Sequence, residues 1–161
     1  MEPEYKGFDV FTGVPSISFL NEHPPTGRKF LFDLGIRKDP ENLPPRLMRI
    51  MEKGGWGFTA EKNVVGILGE GGDPKDINGI IWSSHYYWDH AGDPSTFLPS
   101  TDLIVGPGFK DALLPGYPTN PKAQLLESAY EGQHLREISF AASGLMLGRC
   151  NAVDFFGDGS F

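Results

Sequence analysis

Two histidines and a carboxylate stand within six residues in the run Ser83-Ser84-His85-Tyr86-Tyr87-Trp88-Asp89-His90-Ala91-Gly92-Asp93. Imidazole nitrogen and carboxylate oxygen are both ordinary zinc ligands, at about 2.0–2.2 Å. The run follows Gly79-Ile80-Ile81-Trp82, a compact apolar stretch suited to a strand buried on both faces. A loop leaving the C-terminal end of such a strand can aim His85, Asp89 and His90 at one ion, and Gly92 allows the backbone to pass close behind them. The same residues have a plainer reading, as histidines hydrogen-bonded into the structure and an aspartate that caps a turn. Spacing alone leaves both open.

Other chemistry is weaker. Gly69-Glu70-Gly71-Gly72 has the glycines of a phosphate loop without a following Lys-Ser/Thr. Ser83 and Ser84 lack the G-x-S-x-G setting of a nucleophilic serine. Cys150 is the only cysteine, which excludes a disulfide or a thiolate zinc cluster within one chain, and it reads as a small core residue. His23, beside Pro24-Pro25, is expected to be exposed, and His134 reads as a loop residue ahead of a strand.

The elements that must hold these residues are short. At 161 residues, 39% hydrophobic and 22% charged, the composition is that of one folded domain, 1–161. Ser16–Leu20 and Lys29–Leu34 read as antiparallel strands around a turn-rich loop. Pro44-Pro45 opens a helix with Leu47, Ile50 and Met51 on one face, stopped by Gly54-Gly55. Val64, Val65, Ile67 and Leu68 mark a second amphipathic segment, and Asp73-Pro74 a helical turn. Leu103–Val105 reads as a buried strand, with short helices at Asp93-Pro94 and over Phe109–Leu114. Pro115–Glu127 is turn chemistry suited to a surface loop, while Leu135–Phe140 and Leu145–Phe155 read as later strands. Gly157-Asp158-Gly159 signals a hairpin whose returning arm would start at Ser160-Phe161, leaving a strand edge unpaired.

Charge narrows the partners. Fourteen Lys+Arg against 21 Asp+Glu leave a net charge of −7 without a basic stripe, so nucleic acid is not expected as a partner. No apolar run approaches the roughly 20 residues of a membrane span. The opening Met1-Glu2-Pro3-Glu4-Tyr5-Lys6 is not that of a signal peptide, and a cytoplasmic protein is expected.

Several separate words of the sequence resemble the metallo-β-lactamase superfamily, whose signature is H-x-H-x-D-H at the end of a buried strand. They are Ser18-Phe19-Leu20, Leu31-Phe32-Asp33-Leu34-Gly35, Ile81-Trp82-Ser83-Ser84-His85, Gly92-Asp93-Pro94-Ser95-Thr96-Phe97 and Phe156-Gly157-Asp158-Gly159-Ser160-Phe161. They are most similar to the fungal branch near N-acyl homoserine lactonases and γ-lactamases. The resemblance implies an α/β (α+β) fold, the N-terminal half of an αβ/βα sandwich with an incomplete second half. It implies a zinc-dependent hydrolase, with one or two ions, in which hydroxide attacks the carbonyl of a lactone or lactam, a small cyclic ester or amide. By position, His85 would ligate the first zinc and Asp89 and His90 the second, with Asp89 also accepting a proton transiently. Tyr87 and Trp88 would contact the substrate. Asp33 would orient the motif loop, or simply cap the turn after a strand.

The sequence departs from the family in two places. Tyr87 stands where the signature has its middle histidine, and a phenol of pKa about 10 ligates poorly beside neutral imidazole. The family's downstream Gly-His segment, with further ligands, is not among these 161 residues. These departures support a second expectation: a truncated, non-catalytic remnant with weak or no metal binding, able to self-associate through its unpaired C-terminal edge.

Overall fold

Hairpin chemistry at Pro24–Gly27 brings the first two apolar runs together. Strand β1 (Phe19–His23) pairs antiparallel with β2 (Arg28–Phe32), in register from Phe19↔Phe32 to His23↔Arg28. In this computed structural model, which describes residues 13–82, 87–140 and 143–160, β2 continues into a mixed five-stranded sheet. Strands β3 (Ile77–Ile81), β4 (Asp102–Val105) and β5 (Leu135–Glu137) follow in parallel, in the order β1-β2-β3-β4-β5.

Helix α1 (Pro45–Gly54) begins where proline costs no hydrogen bond and ends at Gly55 in the left-handed region. It buries Leu47 and Met51. Helix α2 (Val64–Leu68) is a single turn closed at Gly69. Asp73 caps the 3₁₀ turn Pro74–Asp76 by accepting the Lys75 N–H, and β3 starts directly after it. Two further short helices follow the parallel strands, α3 (Trp88–Ala91) and α4 (Phe109–Leu113).

Strand alternation divides the sheet into two faces. Leu31, Ile80 and Leu103 share one face by register, and all are at most 1% exposed. They belong to the main core, with Leu34, Trp82, Phe97, Phe109 and Leu125. The other face carries Phe30, Phe32, Ile81 and Ile104. Here Phe155 and Phe156 meet Phe30 edge-on, at ring separations of 5.0 and 5.5 Å, and Arg136 lies over Phe155. Phe19 and Phe32, paired across the strands, remain exposed.

Several expectations change. Leu145–Phe155 is not one strand but a hairpin, β6 (Leu145–Leu147) and β7 (Cys150–Ala152), because Gly148 turns the chain at positive φ. Cys150 is exposed on that hairpin rather than in the core. The 115–127 stretch is not wholly surface, since Ala123 and Leu125 are buried. Gly157-Asp158-Gly159 has no returning strand among the described residues. Instead the Asp154 carboxylate accepts the N–H groups of Gly157 and Gly159, which satisfies the backbone without a second arm. Phe161 lies outside the described residues. His23 is 4% exposed, contrary to its proline-flanked sequence, because the chain returns over it: Nε2 pairs with Asp158 at 2.7 Å, and Phe156 stacks on the ring at 3.9 Å. Among the described residues no helix is long and apolar enough to cross a membrane.

Candidate metal centre

The end of β2 and the turn of α3 are laced together. Leu34 donates its N–H to the His90 carbonyl at 2.9 Å, and Gly92 donates to Gly35 at 2.8 Å. The indole N–H of buried Trp82 donates to the Ala91 carbonyl at 2.7 Å. Ser16 donates its hydroxyl to the Asp89 carbonyl. Gly92 has φ 48, and a Cβ there would meet Leu34 at 2.4 Å, so only glycine lets the two segments close.

Asp33 stands at the head of this contact. It is a non-glycine residue at φ 59, and its side chain is largely buried. One carboxylate oxygen, Oδ2, lies 2.7 Å from His90 Nδ1. A carboxylate only accepts, so Nδ1 donates, and in neutral imidazole Nε2 is then the ring's lone-pair nitrogen. The second oxygen, Oδ1, is buried and has no hydrogen-bond partner among the described residues. A left-handed non-glycine backbone costs about 1–3 kcal/mol, and an unsatisfied buried acceptor a similar amount. Both costs fall on the residue that orients His90.

Asp89 and His90 then converge. Their Oδ2 and Nε2 atoms are 3.6 Å apart, beyond a hydrogen bond. Two donors about 2.1 Å from one tetrahedral ion stand roughly 3.4 Å apart. The spacing and the carboxylate behind the imidazole fit a divalent metal. His85 lies outside the described residues, and among the described residues no group of three or more ligating side chains gathers.

Tyr87 is 57% exposed and, with Trp88 and Asp89, lines a cleft of about 640 Å³. The loop after α1 adds to the same wall. Trp56 and Phe58 lie near-parallel to Trp88, at ring separations of 6.2 and 4.6 Å. Reasoning from the motif missed this pair. Its signal is Gly54-Gly55-Trp56-Gly57-Phe58, aromatics placed among glycines outside any helix or strand. A second groove of about 570 Å³ continues past Val14 and Ile36 to Leu31, Val64 and Leu68. His134 is exposed and paired with Asp102, away from this centre.

No family model matches the sequence. The chain is 44% identical over its whole length to the γ-lactamase FDB1 of Fusarium pseudograminearum, covering 40% of that protein. It is 47% identical to the γ-lactamase MBL2 of Gibberella moniliformis, over 81% of this chain and 55% of the relative. To the metallo-hydrolase mfmC of Annulohypoxylon moriforme it is 44% identical, over 95% of this chain and 41% of the relative. Among solved structures, a variant of AiiA from B. thuringiensis, with N-decanoyl-L-homoserine bound at its active site, superposes with a TM-score of 0.51. That match has 24% identity and covers 75% of this chain and 46% of AiiA, so it speaks for the fold alone. Together these matches support a fungal member of the metallo-β-lactamase superfamily, and the described residues present part of that fold. It spans about half the length, or less, of the curated relatives it matches.

Proposed function

We propose that this chain is the metal-holding part of a hydrolase that opens lactones or lactams, with Asp89 and His90, joined by His85, as ligands for zinc. The observation that carries the reading is Asp33. A strained, largely buried aspartate is kept where its carboxylate fixes the proton on His90 Nδ1 and directs Nε2 toward Asp89. The relatives' names, two γ-lactamases and a metallo-hydrolase, support the reaction class.

A divalent ion bound there supplies Lewis acidity, polarising a carbonyl and bringing the pKa of water toward about 7. The protein's own groups do the rest. Asp33 holds the imidazole in one tautomer. Asp89, on the lining of the aromatic cleft, offers a carboxylate that can accept a proton as the ring opens. Trp88, Trp56 and Phe58 exclude water from one side of the cleft and give a flat or apolar substrate a surface to lie on. Tyr87 contributes to the rim.

The test is a titration of purified, metal-free protein with zinc and with cobalt, followed by assays on a generic lactone and a generic lactam. Wild type should take up metal, and Asp89→Asn or His90→Gln should weaken uptake at least tenfold. A wild type with no measurable uptake sinks the proposal. Tyr87, in place of a ligating histidine, favours one alternative, a non-catalytic remnant. That reading expects metal uptake and turnover to rise from negligible only after Tyr87→His.

A further inference from the structure

Arg37 is an unusual residue to find 7% exposed. Removing a guanidinium from water costs several kcal/mol unless its donors are paired with good geometry. Here they are. Nε and Nη2 fork onto Asp39 at 2.9 and 3.0 Å, and Nη2 also reaches Asp93 at 3.3 Å. The fork holds the Asp39 carboxyl at about 2, well below its usual value.

The two carboxylates differ in kind. Asp39 is two residues away and belongs to the same loop. Asp93 lies 56 residues away in sequence and three past His90, where it also accepts from the Ser95 backbone and hydroxyl. The Arg37–Asp93 contact is therefore the last rung of a ladder between residues 33–37 and 90–93. The other rungs are Asp33 to His90 Nδ1, Leu34 N–H to the His90 carbonyl and Gly92 N–H to the Gly35 carbonyl. Gly92 leaves no slack in the middle. Whatever fixes the far end of the ladder fixes the angle at which α3 presents Asp89 and His90.

We infer that Arg37 is a positioning residue for the metal pair: by tying Asp93 to the 33–39 segment it holds His90 in register with the Asp33 carboxylate. The inference rests on the metal-holding reading above, but it is decided by a measurement that needs no metal. Without Arg37 the Asp93 carboxylate would be left largely buried and lacking this cation, and the ladder would open from that end. Lysine would not replace it, because an ammonium cannot fork onto one carboxylate and reach a second in the same plane.

The experiment records the ring-nitrogen signals of His90 by NMR in metal-free, nitrogen-labelled protein, and titrates the same samples with cobalt. Wild type should show His90 as a single tautomer protonated at Nδ1. Arg37→Met, Arg37→Lys and Asp93→Asn should each shift His90 toward a mixture of tautomers while the far-ultraviolet circular dichroism stays unchanged. Cobalt affinity should fall roughly 10–100-fold, the range seen when a residue behind a metal ligand is lost. If Arg37→Met fails to fold, Asp93→Asn decides. It leaves the Arg37–Asp39 fork intact and keeps an amide oxygen for the Ser95 cap. Folded variants whose His90 signals match wild type overturn the inference. A wild type that binds no cobalt sinks the metal reading alone, because the ring signals still decide the role of Arg37.

Discussion

The two faces of the sheet are held by different means. On one, Leu31, Ile80, Leu103 and Val105 are closed over by side chains from the helices and loops, and Trp82 anchors the motif turn from beneath. On the other, two half-buried phenylalanines and the His23–Asp158 pair cover Phe30, while Phe19 and Phe32 stay exposed. Dense packing has few alternative arrangements, so it can hold donors to a fraction of an ångström. A cover made of a few rings and one imidazole–carboxylate contact cannot. The candidate metal centre grows from the turn tied to the dense side.

The largest effect should come from that side. Trp82→Ala removes a fully buried indole and its bond to Ala91, and should cost about 3–5 kcal/mol. Thermal melting should fall by roughly 10 °C. Gly92→Ala comes next: strain against Leu34 should cost about 1–3 kcal/mol and disturb the Asp89–His90 pair, seen as weaker cobalt binding. Phe156→Ala, on the open face, should cost about 1–2 kcal/mol with cobalt binding unchanged. If Phe156→Ala destabilises as much as Trp82→Ala, the two faces are not different in kind.

Acid should find the open face as well. The Ser160 hydroxyl and His23 hold the Asp158 carboxyl at about 2, below its usual 3.8. A carboxyl lowered by folding contributes stability above its unfolded value and loses it as pH falls through the folded one. The His23–Asp158 contribution should therefore disappear between pH 4 and pH 2. Asp158→Asn should flatten that part of the melting-temperature profile, and an unchanged profile would count against the contact. The smallest effect expected is Lys62→Met. Its ion pair with Glu70 is exposed, and the loss should stay within about 0.5 kcal/mol by denaturant unfolding.

Local patterns carried much of the fold. Pro45 and Gly55 mark α1 because proline lacks an N–H and glycine tolerates positive φ, both properties of single residues. The cores of β2, β3 and β4 follow likewise from apolar runs and the hairpin from its turn, but the first strand runs Phe19–His23 rather than Ser16–Leu20. Over Leu145–Phe155 the apolar content predicts one strand where the chain forms a hairpin. Leu145, Met146 and Leu147 are all exposed, and Gly148 breaks the run. His23 is buried and Cys150 exposed, the reverse of what their local sequence predicts. His23 is buried only because a segment more than a hundred residues away returns over it, and no local pattern reports that.

The candidate site divides in the same way. The residue types of Asp89 and His90, their spacing and their place after a buried strand stand in the sequence, and with them the kind of chemistry on offer. Which proton His90 carries, how far it lies from Asp89, which aromatics face Trp88 and why Arg37 is buried were decided only in three dimensions. Hydrogen bonds and ring contacts act over a few ångströms of space, and Asp33 comes within that distance of His90, 57 positions further along, only once the chain between them has folded.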